Sequence, residues 1–308
     1  MIKRLKLTFI LYNFFQIKQL AHNVQLYRKI GLKKFYFSPV SSEDFINRDS
    51  SLLNSETTNI PLTETDFYKE ADTITKENIL QFEENGYIII KNYLSENQVE
   101  EINLLIDNGL KNQTLKFKNR NKIMFAIHQI PLLKKIGMDP KLIALVSSLM
   151  NGKAKLFQSI NFINGSEQKT HSDSFHMTTY PLGGLVGVWI ALEDIGLENG
   201  PLHYYKGSHK LPYYLNSDYN NTGNRLFIGK KGYGEYENFI EKKIVKQNLN
   251  KEIFTAKKGD ILIWHANLFH GAETHLDKSK TRKSMVFHYF NEKAICYHEI
   301  TQRPSLFK

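Results

Sequence analysis

The feature that most constrains this 308-residue chain is a change of character at Gly152. Before it, apolar residues recur at helical spacing. Val99, Ile102, Leu105 and Ile106 form one such face, and Leu142, Leu145, Val146 and Leu149 form another. After it, from Lys155 to Phe290, short apolar runs are separated by Gly, Asn and Pro. The clearest runs are residues 156–163, 185–192, 261–264 and 284–290. Helices first and many short strands later predict an α+β fold, mainly β, in which flanking helices surround a jelly-roll core.

Local signals refine this. A short helix carrying Ile79 and Phe82 is expected to stop at Gly86, and an apolar strand to follow over 87–94. Ser95 and Gln98 have the spacing of a capping box at the head of the Val99 helix. Asp139 followed by Pro140 opens the next helix. Three segments result: a basic arm and polar linker over 1–72, a catalytic domain over 73–295, and a tail over 296–308.

Charge is concentrated in the arm. The formal net charge is +10, and residues 1–42 supply +8 of it from Lys3, Arg4, Lys6, Lys18, Arg28, Lys29, Lys33 and Lys34, with no acid before Glu43. The remainder is nearly neutral and carries no nucleic-acid-binding pattern. In the arm, Ile10, Phe14, Ile17, Ala21 and Val24 recur at helical spacing, with Gly31 as the stop. The apolar run 7–15 falls well short of the roughly 20 residues that span a bilayer, and it lacks a signal-cleavage site. Three readings stand: a helix packed on the protein's own body, a basic amphipathic helix on an anionic membrane through residues 1–38, or an organellar presequence. A single cysteine, Cys296, excludes an internal disulfide and a thiolate zinc cage. That favours a reducing, cytoplasmic setting, with peripheral membrane contact under the second reading.

The chemistry begins at His171 and Asp173. Side chains at i and i+2 of an extended segment face one way, so an imidazole and a carboxylate can share a metal ion. A further ligand must come from a distant strand. His270, after the run 261–264 and before Gly271, is the best placed, and His275 is the rival. Two His and one carboxylate with open positions opposite form the facial triad of Fe(II) oxygenases. Arg282 and Ser284, on one side of a strand, would grip a carboxylate.

These residues carry a family resemblance. The chain resembles the phytanoyl-CoA dioxygenase family of 2-oxoglutarate oxygenases in several motifs: His-Ser-Asp at 171–173, Trp189 with Ala-Leu-Glu at 191–193, and Asn-Gly-Pro-Leu-His-Tyr-Tyr-Lys-Gly-Ser-His at 199–209. Lys-Gly-Asp at 258–260, His-Gly at 270–271 and Thr-Arg-Lys-Ser at 281–284 follow in family order. The likeness covers about residues 73–295. It implies a double-stranded, cupin-like β-helix and iron held by His171, Asp173 and His270. It also implies 2-oxoglutarate paired through Arg282, with Trp189, Lys122 and Asn161 lining the co-substrate pocket. Ala272 departs from the Ser frequent in the family two residues after the distal histidine, and Ser284 is expected to supply that hydroxyl. The implied reaction consumes O2, converts 2-oxoglutarate to succinate and CO2, and hydroxylates an unactivated C–H bond. Asp173 speaks against a halogenase, which keeps a small residue there.

Other readings are plainer. His265 is expected to be structural and His288 to support the site from its strand. His176, Tyr180, His203 and Tyr205 flank the site, either meeting substrate or packing, and Lys122 could equally be a solvated lysine. A catalytically silent ligand-binding relative and a cupin-type isomerase are the alternatives to a hydroxylase. A missing ligand or arginine would mark the first, and Arg282 with Ser284 would go unexplained in the second. The substrate class expected is a small or lipid-linked molecule; oligomeric state is not readable from the sequence.

Overall fold

The computed structural model describes residues 4–53, 62–64, 66–118 and 121–307. The chain begins with α1 (Lys6–Phe14), α2 (Ile17–Lys29), a short α3 (Asp66–Glu70), α4 (Thr73–Asn85), β1 (Tyr87–Ile90) and α5 (Glu96–Lys111). A small hairpin of β2 (Phe117–Lys118) and β3 (Lys122–Met124) leads to α6 (Pro131–Gly137) and α7 (Pro140–Leu149). Next come β4 (Ala154–Phe162), β5 (Thr178–Tyr180), β6 (Leu185–Ala191), β7 (Leu202–Tyr205) and α8 (Tyr233–Lys246). The chain closes with β8 (Lys251–Phe254), β9 (Ile261–His265), β10 (His270–Ala272), β11 (Ser284–Asn291), β12 (Ile295–His298) and β13 (Arg303–Pro304).

Seven strands form one antiparallel sheet in the order β1-β9-β6-β11-β4-β3-β2. Two three-stranded sheets, β10-β7-β8 and β13-β12-β5, complete the strand set. Period-2 alternation divides the faces of the large sheet. Val186, Val188, Ile190, Ile261, Ile263, Met285, Phe287 and Tyr289 join Val99, Ile102, Leu133 and Val146 in the core between sheet and helices. The alternate residues Trp189, Leu262, Trp264 and Val286 meet Leu202, Tyr204 and Phe254 of the small sheet. Two sheets facing each other across this second core make the double-stranded β-helix that the strand pattern predicts.

The expected caps are present. Gly86 ends α4 with φ 83°, the Ser95–Gln98 box caps α5, and Asp139 accepts the Leu142 amide at 3.2 Å. The strand expected over 87–94 ends at Ile90, because Asn92 turns the chain with φ 52°. Helix α8 lies within the stretch read as strands. Tyr236, Ile240 and Ile244, at i, i+4 and i+8, bury one face of it and were the missed signal.

The segment boundaries also differ. α2 packs on β12 through Leu26, Tyr27 and Ile30, and Asn23 exchanges hydrogen bonds with the Cys296 backbone at 2.7 and 2.9 Å. Of the three readings of the arm, α2 follows the packed helix. The face it buries contains Leu20 and Asn23, whereas Phe14 and Ile17 are exposed. Residues 41–53 wrap the body, burying Phe45 and Leu53; residues 54–61 of the expected linker lie outside the described set. Residues 296–307, expected as part of a tail, pair and pack with the body: β12 pairs with β5 and β13, and Phe307 packs against Phe157 and Phe290. Among the described residues, no helix is long and apolar enough to cross a membrane.

Candidate metal centre

His171 and His270 close an isolated antiparallel bridge, each amide donating to the other's carbonyl at 2.9 and 3.0 Å. Backbone pairing thus carries His270 to His171. Asp173 opens a single 3-10 turn, Asp173–Phe175. Its Oδ1 lies 3.8 Å from His171 Nε2 and its Oδ2 lies 3.8 Å from His270 Nε2. All three donor atoms fall within 4.8 Å of one another, and all three residues are buried. Ligand atoms about 2.1 Å from one ion stand roughly 3–4 Å apart, so the set fits one metal. Two imidazoles and one carboxylate suit a first-row divalent ion with open positions.

Neighbours fix the ligands' orientation. Nδ1 of His171 faces the Lys169 carbonyl at 2.8 Å, and Nδ1 of His270 faces the Leu268 carbonyl at 2.9 Å. A ring that donates from Nδ1 leaves the Nε2 lone pair for a metal. Burial, reinforced by nearby His270, lowers the His171 pKa well below its usual value and keeps it neutral. At Asp173, burial pushes the carboxyl pKa up, but the nearby His270 and the His288 hydrogen bond outweigh it and hold the group ionised. Trp264 Nε1 donates to Asp173 Oδ2 at 2.8 Å, and His288 Nε2 lies 3.4 Å from the same oxygen. Gly187 is Trp264's register partner. A Cβ there would come within 2.4 Å of the indole, so the glycine makes room for the ring that braces the carboxylate. Gly271 also serves close approach: it lies in β10, and a Cβ would meet His203 Nε2 at 2.7 Å.

The triad lies on the wall of a cavity of about 340 Å³ that Arg282, Trp189, Lys122 and His288 also line. Arg282 is 1% exposed. Its Nε donates to the Gly200 carbonyl at 3.2 Å and its Nη1 to Ser284 Oγ at 3.0 Å. The guanidinium lies over the Trp189 and Phe162 rings, 5.5 and 6.0 Å from their centroids. Burial lowers its pKa to about 10, which still leaves it charged. Among the described residues, Arg282 Nη2 and Trp189 Nε1 have no hydrogen-bond partner. A buried cation with a spare donor fits the carboxylate of an anionic co-substrate.

Lys122 also faces the cavity, donating to Gln168 Oε1 at 3.1 Å; burial lowers its pKa. Asn161 does not join the pocket. In β4, Gln158, Ile160 and Phe162 line the cavity, while Ser159 points the other way and accepts from the Ile127 amide at 3.1 Å. By alternation Asn161 shares the face of Ser159, toward the helices. Ser284 acts through Arg282. Ala272, in β10 of the small sheet, is buried in the core between the two sheets. His275 is set apart from the triad, its amide donating to Glu167 at 2.9 Å.

His176 lines the cavity, whereas Tyr180 stacks on Phe45, His203 pairs with Glu273 at 2.7 Å, and Tyr205 packs near Phe269. His265 is half-buried outside the metal cavity, and its Nδ1 accepts from the Asn267 amide at 3.1 Å. Sequence reasoning missed Trp264 as a brace, Gln168, and His298, which lines the cavity from β12. Gln168 bonds Tyr233 of α8 at 3.1 Å and sits 3.2 Å from His171 Nε2. The inward parity of Trp264 was readable; nothing local marked the other two.

Residues 82–284 match the phytanoyl-CoA dioxygenase (PhyH) family model. The rat phytanoyl-CoA dioxygenase domain-containing protein 1 is 29% identical over 176 residues, 56% of this chain and 57% of that protein. An Arabidopsis thaliana phytanoyl-CoA dioxygenase is 29% identical over 173 residues, 54% of this chain and 56% of that protein. The match therefore spans a little over half of these relatives' length. Among solved structures, the non-heme alpha ketoglutarate dependent carbocyclase SnoK is 17% identical, covers 77% of this chain and 88% of its own, and has a TM-score of 0.60. EctD from S. alaskensis, solved with 2-oxoglutarate and 5-hydroxyectoine, is 17% identical with a TM-score of 0.56, covering 76% of this chain and 82% of its own. Both support the jelly-roll fold.

Proposed function

Because the chain belongs to the phytanoyl-CoA dioxygenase family, we propose that it is an Fe(II)- and 2-oxoglutarate-dependent dioxygenase that hydroxylates an unactivated C–H bond. The observation that carries this reading is one cavity with the His171–Asp173–His270 set on its wall and the charged, partly unpartnered Arg282 buried beside it. Under this reading His171, Asp173 and His270 hold iron. Arg282, fixed by Ser284 and the Gly200 carbonyl, pairs with the far carboxylate of 2-oxoglutarate. Trp189 walls that end of the pocket, and Lys122 supplies a second positive charge. Iron with 2-oxoglutarate and O2, when bound, would supply the oxidising power, releasing succinate and CO2. The chain's own work is orientation and water exclusion. Trp264 and His288 hold the Asp173 carboxylate still, and Ile160, Phe162, Val286 and Leu202 provide dry walls.

The cavity's size bears on substrate. About 340 Å³ must take the co-substrate and the reacting carbon together. That suits a small molecule, or the reacting end of a lipid-linked one whose remainder stays outside. The fully buried single thiol, Cys296, is in keeping with a reducing, cytoplasmic setting.

Succinate formation tests the reading. Anaerobically purified protein given Fe(II), 2-oxoglutarate and air is expected to make succinate slowly without added substrate. His171→Ala and Arg282→Ala are each expected to abolish it. Absence of both succinate and a 2-oxoglutarate-dependent metal-to-ligand absorption band would remove the proposal in favour of a catalytically silent binding protein.

A further inference from the structure

The arm holds a surface that the fold leaves uncovered. α2 buries Leu20, Leu26, Tyr27 and Ile30, but α1 and the α1–α2 junction turn large apolar side chains outward. Phe15 is 79% exposed and Phe35 71% exposed, and Leu7, Leu11, Phe14 and Ile17 are each more than half exposed. The aromatics form one cluster: Phe14 meets Phe15 at 5.4 Å and Phe37 at 5.7 Å between centroids, and Phe35 stacks on Phe37 at 5.3 Å. The Tyr36 hydroxyl ties the cluster together by donating to the Phe14 carbonyl at 2.7 Å. Contiguous exposed aromatics mark a contact surface.

The surrounding charge identifies the partner. Residues 1–42 carry no acid. Lys34 is paired with Asp44 at 2.6 Å, and Arg4 is tied to the Ile228 and Gly229 carbonyls at 2.9 and 3.1 Å. Lys18, three residues from Phe15, and Lys33, two from Phe35, are exposed, as are Arg28 and Lys29. An exposed aromatic cluster with exposed cations beside it matches the headgroup–acyl boundary of an anionic bilayer, where rings enter and lysines meet phosphates.

We infer that the α1–α2 junction, with Phe14, Phe15 and Phe35 at its tip, docks this protein on anionic lipid membranes. The inference does not depend on the chemistry of the cavity. The two are nonetheless physically joined. Lys6 N donates to the Leu226 carbonyl at 2.9 Å and Leu5 bridges Phe227. The segment after Phe227 leads directly into α8, whose Tyr233 contacts Gln168 beside His171. A membrane-docked junction would thus hold the segment that leads into α8 and its contact with Gln168.

Deleting the arm would strip α2 from the core, so the test uses surface substitutions in the full chain. Co-sedimentation with vesicles of phosphatidylcholine containing phosphatidylserine is expected to capture the wild type, and pure phosphatidylcholine to capture it weakly. Phe15→Ser with Phe35→Ser should weaken capture about tenfold or more, given the burial energy of two rings. Lys18→Glu with Lys33→Glu should weaken it on anionic vesicles and flatten its salt dependence. Unchanged circular dichroism and melting temperature confirm that the variants fold. No vesicle binding, or equal binding by the Phe15/Phe35 variant, overturns the inference. So does a wild-type dimer in sedimentation that the same substitutions dissolve, since a second copy would then cover the surface.

Discussion

The two faces of the seven-stranded sheet are built from the same strands yet serve opposite ends. Toward the helices, Val186, Val188, Ile190, Met285, Phe287 and Tyr289 form an apolar, fully packed core. One residue away along each strand, Trp189 and His288 line the cavity with polar atoms, as does Trp264 from β9. Strand alternation separates stability from chemistry by a single residue step. A substitution on one face should therefore leave the other nearly untouched, and three substitutions put that separation to the test.

The largest effect belongs to the helix-side face. Phe287→Ala should cost about 3–5 kcal/mol of unfolding free energy, measured by urea denaturation. The variant that remains folded should keep its metal affinity. If metal binding fell as steeply as stability, the faces would not be separable. On the cavity face, Trp264→Phe removes the indole donor to Asp173 while keeping most of the ring. Metal affinity, titrated with Fe(II) or a spectroscopic substitute, should fall about tenfold, with a smaller change in stability than Phe287→Ala. The smallest effect is expected at Asn161, which lies on the helix-side face with its amide unpartnered among the described residues. Asn161→Val should change stability by no more than about 1 kcal/mol, in either direction, and leave 2-oxoglutarate affinity unchanged. A large loss of co-substrate affinity would place Asn161 in the pocket after all.

Legibility in the sequence followed the range of the interaction. The caps at Ser95 and Asp139 and the stop at Gly86 depend on backbone groups a few residues away, and they stand where the sequence puts them. Strands 185–192 and 284–290 were readable because both faces are buried and the run is continuous. Asn161 was assigned to the pocket by family likeness, whereas the regular alternation of Gln158, Ile160 and Phe162 into the cavity sets it on the opposite face. The irregularity of β4, a register shift with β11 between Gln158 and Leu156, lies beyond that stretch. The helix α8 was passed over because its three buried residues are diluted by a charged, strand-rich neighbourhood.

The sequence by itself determined the local chemistry: a histidine and a carboxylate two residues apart, an arginine and a serine at the same strand spacing, and short strands that must close on each other. Tertiary structure decided which distant histidine joins them. The bridge between His171 and His270 selects His270 over His275, a choice made by backbone pairing rather than residue type. It also decided that α2 belongs to the core, that β12 brings His298 to the cavity, and that Phe14, Phe15 and Phe35 of the arm stay outside. Such outcomes depend on surfaces that meet only after the chain has folded back on itself, and spacing along one strand or helix does not encode them.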